Sequence, residues 1–263
     1  MSLLSVSGLF VATTDGVPLV RGLSFELAPG KRLGLIGESG SGKSLTALAI
    51  TGLLAEGLGA TGSVILAGTQ VIGADERALV KLRGRVAAVV FQDPLSALDP
   101  LMRIGAQLSE PLRRHQGLRG TALKQAVLDG LKEVSLPDPE RIAASYPHEV
   151  SGGQRQRVAI ALALACRPEL LIADEPTTAL DVTVQADVLD LLDRLVAERN
   201  MALLFISHDL AVVARMTDQV IVMRTGEAVE SGALADLLKA PGHPYTAELV
   251  RSARTLDAAL ELS

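Results

Sequence analysis

Apolar positions along this chain fall into short continuous runs separated by longer stretches with helical spacing. Leu33-Gly34-Leu35-Ile36 is one such run; it stops at a glycine-rich turn, after which Lys43 to Leu54 reads as a helix. Ala87-Ala88-Val89-Val90 is a second, and Leu170-Leu171-Ile172-Ala173 and Ala202-Leu203-Leu204-Phe205-Ile206 are two more. Runs without polar alternation suit strands buried on both faces by helices, so the pattern predicts an α/β fold with a mostly parallel sheet. Two regions break it. The N-terminal stretch and the segment from Gly62 to Ile72 alternate and carry turn residues, which predicts an antiparallel β subdomain beside the main sheet. From Met102 to Ser145 the spacing is helical and the composition rich in charge, which predicts an inserted α-helical subdomain. The expected organisation is one domain over 1–263, with 1–92 and 160–263 as the core and its antiparallel part and 93–159 as the helical insertion. Gln219 to Met223 and Glu227 to Glu230 flank Arg224-Thr225-Gly226, a predicted hairpin.

Composition narrows the function classes. The chain is 48% hydrophobic, yet its densest apolar run, Val158 to Cys166, is bounded by Arg157 and Arg167. That is far short of the roughly 20 residues a spanning helix needs. The opening Met-Ser-Leu-Leu lacks a basic region followed by an apolar one, so the chain is expected to stay in the cytoplasm and to reach a membrane only through a partner. A net charge of −5, no Trp, 2 Tyr and 4 Phe offer neither a basic footprint nor a stacking platform for nucleic acid. The single cysteine, Cys166, cannot form an internal disulfide and is expected to be an inert, buried helix residue.

Gly37-Glu38-Ser39-Gly40-Ser41-Gly42-Lys43-Ser44 fits the pattern G-x-x-x-x-G-K-[ST] and lies between a predicted strand and a predicted helix. Glycines there let successive N–H groups and the helix N-terminus face a phosphate. Lys43 is then expected to reach the terminal phosphates of ATP, and the Ser44 hydroxyl to ligand Mg²⁺. Asp174 and Glu175 close an apolar strand at the end where α/β sheets carry ligand chemistry. Asp174 suits the surroundings of Mg²⁺, and Glu175 can polarise a water for attack on the γ-phosphate.

Val150-Ser151-Gly152-Gly153-Gln154-Arg155-Gln156-Arg157 closely resembles the signature of ABC-type ATPases. Gln92 after a strand, Ala179-Leu180-Asp181 after Glu175, and Ser207-His208-Asp209 after a strand follow in the family's order. The resemblance covers essentially the whole chain and implies a P-loop NTPase core of the ABC type. It implies further that two nucleotide-binding domains sandwich ATP, with Ser151, Gly152, Gly153 and Gln154 serving the nucleotide held by the partner. It makes Glu175 the catalytic base, His208 the switch histidine, Gln92 the sensor of Mg²⁺ and water, and Asp181 the coupling residue between the two sites. His115, His148 and His243 are left structural, and Arg155 and Arg157 receive no catalytic role. The aromatic residue on which such ATPases stack adenine falls at Thr13, with Phe10 elsewhere on the alternation, so the stack is expected to be absent.

Phe91-Gln92-Asp93-Pro94-Leu95-Ser96-Ala97-Leu98-Asp99-Pro100 resembles the segment in ATPases of peptide and nickel importers, as do Tyr146-Pro147-His148-Glu149 and His243-Pro244-Tyr245-Thr246. That resemblance implies an ATP-hydrolysing subunit on the cytoplasmic face of the cell membrane. It works with transmembrane permease subunits, a second ABC ATPase subunit (identical or related) and, indirectly, an extracytoplasmic solute-binding protein. The resemblance places Asp93 to Pro100 where the helical subdomain meets the membrane subunit. Many members carry a cysteine-bearing C-terminal extension; no cysteine follows Cys166 here, so an iron–sulfur cluster is not expected. A soluble ABC ATPase of DNA repair or translation, an ATPase of another transporter subfamily, and a catalytically weak partner in an asymmetric pair are the alternatives. Proteins of the first kind usually carry tandem cassettes, a long coiled-coil insertion or basic linkers, and none is visible in this sequence. Intact Glu175, His208 and signature residues speak against the last.

Overall fold

The computed structural model describes residues 2–178 and 180–260. Strands form at Leu4–Thr13 (β1), Pro18–Leu27 (β2), Arg32–Ile36 (β3), Leu58–Leu66 (β4), Thr69–Gln70 (β5), Ala87–Val90 (β6), Leu170–Asp174 (β7), Ala202–Ser207 (β8), Gln219–Arg224 (β9) and Glu227–Ala233 (β10). Residues divide into two compact units, Met1–Leu79 with Ala202–Ser263, and Val80–Met201. The helical segment expected over 93–159 falls inside the second. Among the described residues no helix is long and apolar enough to cross a membrane.

In the first unit, β2, β1, β4 and β5 form an antiparallel sheet in that order. β1 buries Leu4 and Val6, then Leu9 and Val11, a set that simple alternation cannot produce. A bulge at Gly8, whose φ is +57°, inserts the extra residue and resets the phase. The partner strand makes room: a Cβ on Gly62 would lie 2.3 Å from the Gly8 carbonyl oxygen. In the second sheet, β3 pairs in parallel with both β8 and β9, while β10 returns antiparallel to β9. All six residues of β8 are buried, as are four of the five in β3, which is what continuous apolar runs require. The helix Leu210–Met216 lies so close to β3 that a Cβ on Gly34 would come within 2.5 Å of Val213 Cγ1. The predicted hairpin is present, and Thr225 (φ +47°) and Gly226 (φ +87°) supply the two positive φ angles of a tight turn that matches strand twist.

The helix expected over Lys43–Leu54 ends earlier, at Thr51. Gly52 takes the left-handed conformation and its N–H returns to Ala49 O, so the helix stops at its C-terminal cap before the apolar residues run out.

In the second unit β6 and β7 pair in parallel, and every residue of β7 is buried. Helices Ile104–Gln116, Gly120–Glu133, Pro139–Ala144 and Gly152–Leu164 pack around Leu108, Leu112, Val127, Leu131, Ile142 and Ile160. Arg199 closes the base of this bundle with a two-pronged pair to Glu133 and a bond to Leu164 O. Cys166 is half-buried rather than buried and sits in the turn after the helix Gly152–Leu164 rather than within it, with its thiol pushed up from the usual range by burial, against a weaker opposing pull from Arg85. That environment disfavours the reactive thiolate.

Candidate functional site

In the first unit, Gly37 to Ser44 joins the end of β3 to the helix Lys43–Thr51. Gly37 is in a space no side chain could share, since a Cβ there would lie 2.1 Å from Met223 O. Gly40 (φ +80°) and Gly42 (φ +97°) adopt backbone conformations that L side chains rarely reach. Lys43 is buried and donates from Nζ to Gly37 O at 2.7 Å, Glu38 O at 2.9 Å and Ser41 Oγ at 3.4 Å. The lysine therefore lies along the inside of the loop, its charge solvated by carbonyl oxygens. Ser39, Gly40 and the Ser44 side chain are exposed, so the rim and the first helical turn are open to a ligand. Helix and loop are seated on the β9–β10 turn, where Gly226 N donates to Ser41 O at 3.2 Å and Arg21 N to Gly226 O at 2.8 Å.

One contact to this loop has no counterpart among the sequence expectations. Tyr245 stands at the start of the C-terminal helix Pro244–Leu260, and its hydroxyl accepts the Glu38 N–H at 2.9 Å. Its ring is fully buried, with the Arg224 guanidinium 4.9 Å from the centroid. Burial pushes the phenol up from its ordinary range, against the pull of the Glu38 N–H and the Arg224 cation, so the hydroxyl stays neutral at physiological pH. In the sequence, His243-Pro244-Tyr245-Thr246 stands out only as a mark of resemblance. A tyrosine 207 residues from its partner leaves no local signal.

His208 is exposed immediately beyond β8. Its neighbours build a tight turn: Asp209 N donates to Ser207 Oγ at 3.0 Å, and the Asp209 carboxylate caps the helix Leu210–Met216 through Ala211 N and Val212 N. Thr13 closes the β1–β2 turn, its Oγ1 accepting Val17 N at 3.1 Å, while Phe10 lies on the opposite face of β1 from Leu9 and Val11, with 38% of its surface exposed.

In the second unit, β7 carries Asp174, buried, at its C-terminal end, followed by Glu175. Glu175 has φ +47°, a conformation that is uncommon for a glutamate, and its Oε2 accepts the Thr178 hydroxyl at 2.8 Å. Ala179 lies outside the described residues. Asp181 caps the helix Val182–Glu198, accepting Val184 N at 3.0 Å. Gln92 is exposed just beyond β6, and Asp93 starts the short helix Pro94–Ala97 by accepting Leu95 N at 2.9 Å. Gln107, buried, ties that segment down through three bonds, to Asp99 N, Asp99 O and Met102 O. Leu95, Leu101 and Met102 remain exposed around it, Leu101 at 85%.

Ser151 is the N-cap of the helix Gly152–Leu164. Its Oγ accepts Gln154 N at 3.3 Å while Gln154 Oε1 accepts Ser151 N at 3.1 Å, a reciprocal cap. Ser151 and Gly152 are exposed at that helix end, which presents N–H groups to an anion. Gly153 has a second reason for being glycine, since a Cβ there would meet Val184 Cγ1 at 2.7 Å. Arg157 bonds Val134 O at 3.1 Å and pairs with Asp187 at 3.6 Å, a structural role. His148 stacks on Tyr146 with ring centroids 5.6 Å apart.

The geometry is matched by likeness to known proteins. The chain is 47% identical over 97% of its length to the oligopeptide transport ATP-binding protein of Salmonella typhimurium, covering 77% of that protein. It is 46% identical over 98% of its length to the oligopeptide transport ATP-binding protein of Escherichia coli, again covering 77%. Among solved structures, a dimeric ATP-binding cassette in a post-hydrolysis state bound to ADP and Pi superposes with a TM-score of 0.77 at 27% identity, over 88% of this chain and 98% of that one. The model of the ABC transporter family matches residues 20–178, a span that contains the glycine-rich loop after β3, the helix Gly152–Leu164 and the acidic end of β7, and the chain belongs to that family.

Proposed function

We propose that this chain hydrolyses ATP to drive a membrane importer, and that the imported solute is a peptide. The observation that carries this reading is identity of 46% and 47% to two proteins named for oligopeptide transport, each over nearly the whole of this chain.

In this reading Gly37 to Ser44 hold the phosphates of ATP, with Lys43 leaving carbonyl partners for phosphate oxygens. Glu175 takes the role of base for the attacking water, and Thr178 steadies its carboxylate in the meantime. His208 and Gln92 orient the γ-phosphate and water. Ser151, Gly152, Gly153 and Gln154 serve the nucleotide of a partner ATPase subunit, and Asp181 couples the two sites. The exposed Ser44 hydroxyl, the buried Asp174 carboxylate at a strand end and the Gln92 amide oxygen are hard donors of the kind Mg²⁺ takes, and they are the residues that would hold it. Bound there, Mg²⁺ supplies positive charge against the phosphate oxygens.

The partners are permease subunits that span the membrane, a second ATP-binding subunit and an extracytoplasmic peptide-binding protein. Exposed Leu95, Leu101 and Met102 offer the permease an apolar contact on a segment that Gln107 keeps rigid. The chain then works at the cytoplasmic face, held by those subunits. Capture from gently solubilised native membranes, read by mass spectrometry, tests this. Two multispanning proteins with a peptide-binding protein are expected; recovery of only soluble nucleic-acid or ribosomal partners would move the ATPase away from import.

A further inference from the structure

Tyr245 is among the largest fully buried side chains, and none of the chemistry above uses it. Its hydroxyl fastens the Glu38 N–H. That N–H shares a trans peptide unit with the Gly37 carbonyl, so the two groups point in opposite directions. Holding one aims the other, and Gly37 O accepts from Lys43 Nζ at 2.7 Å, closer than Glu38 O at 2.9 Å. Tyr245 is itself held from behind. Glu230 accepts Gly242 N at 2.8 Å and His243 N at 3.0 Å, and His243 Nδ1 accepts Tyr245 N at 3.2 Å. A line of bonds thus runs from Glu230 on β10, through His243, to the phosphate loop and its lysine, all within one compact unit.

We propose that Gly242 to Tyr245 form a strap that sets the phosphate loop before nucleotide arrives, with Tyr245 as a positioning residue for phosphate binding. The proposal rests on the assignment of Gly37 to Ser44 as the phosphate loop. A loop whose peptide planes are already oriented loses less freedom when an anion binds, so the strap acts on affinity. It reaches the nucleotide through Glu38 and Lys43 and touches no reacting atom.

Tyr245→Phe removes one oxygen and keeps the buried ring beside Arg224. Mg-ATP affinity is measured on the full chain by titration with a ribose-labelled fluorescent ATP, together with KM and kcat for hydrolysis. Losing one hydrogen bond of ordinary strength is expected to raise Kd and KM roughly three- to tenfold, with KM rising more than kcat falls. A residue that only fills the core would lower the thermal midpoint and the active fraction, and hence apparent kcat, with Kd at the wild-type value. That result overturns the strap. Glu230→Ala, at a half-buried position, loosens the strap without touching the loop and is expected to shift Kd in the same direction by a smaller factor. Should Tyr245→Phe fail to fold, Glu230→Ala decides: an unchanged Kd there also overturns the proposal. Lys43→Ala, run alongside, separates the two levels. Wild-type ATP affinity in Lys43→Ala removes the phosphate-loop assignment itself, whereas loss of affinity there with an unchanged Tyr245→Phe sinks the strap alone.

Discussion

Gly153 is the second residue of the signature helix, and the methyl group of Gly153→Ala would lie 2.7 Å from Val184 Cγ1. Carbon atoms in contact rest about 3.5–4.0 Å apart, so something must give by roughly an ångström. Val184 is poorly placed to yield. It is β-branched, which restricts its side-chain rotamer in a helix, and its N–H is pinned by Asp181 at 3.0 Å. Overpacking of this kind costs about 1–3 kcal/mol. Against it stands the gain from replacing glycine within a helix, at most about 1 kcal/mol and less in a first turn. With about 0.5 kcal/mol of that gain realised in a first turn, the expected net loss is about 0.5–2.5 kcal/mol. Urea unfolding of wild type, Gly153→Ala, Val184→Ala and the double variant measures it, since the two residues are in contact and a cycle isolates their coupling. The cost of Gly153→Ala should vanish or change sign once Val184 is truncated. A Gly153→Ala protein as stable as wild type, or more so, would refute the steric argument, because helix propensity alone predicts that direction. Hydrolysis by the double variant then separates packing from chemistry: activity that stays low after stability returns assigns Gly153 to the nucleotide as well.

Glu175→Gln keeps the shape and the left-handed backbone but removes the base, so it should bind Mg-ATP, turn over very slowly and accumulate as an ATP-bound dimer in gel filtration; brisk hydrolysis would displace Glu175 from that role. Ser151→Arg should leave binding of ATP to the same subunit largely intact while blocking hydrolysis, because Ser151 serves the opposite nucleotide; loss of ATP binding in the isolated subunit would contradict this. Thr13→Tyr adds a ring beside the β1–β2 turn and should tighten ATP roughly tenfold or more if a base stacks there, by analogy with base stacking on aromatic side chains. Equal affinities before and after the change would show that adenine is not read at this position.

The four apolar runs were legible because strands covered on both faces need no polar alternation, and each run became a strand: β3, β6, β7 and β8. The glycine-rich turn after β3 was legible for a similar reason, since its constraints are local and a glycine at φ +97° beside a buried lysine leaves a fixed spacing. What escaped reading was set by distant neighbours. The end of the helix at Thr51 depends on a left-handed Gly52 where apolar residues still continue. The glycine at position 153 reads as an anion contact, while its clash partner Val184 is on another helix. Gln154 also reads as a ligand group, although S-x-x-Q is equally a helix cap, and the structure shows its side chain bonded to Ser151 N. Tyr245 was invisible to local reasoning because its partner lies near the other end of the chain.

The bulge in β1 binds two glycines into one heritable unit. Removing Gly8 would leave Leu4, Val6, Leu9 and Val11 on a single uninterrupted phase, with the same inward set as before. It would also withdraw the carbonyl oxygen that sits 2.3 Å from where a side chain on Gly62 would begin. A lineage that keeps the extra residue is barred from any change at Gly62, while one that loses it drops the nearest obstacle there and keeps only the constraint of the local backbone, whose φ is +92°. Insertion history in one strand thereby limits the substitution history of another, and relatives should replace Gly62 only where the extra residue of β1 is gone.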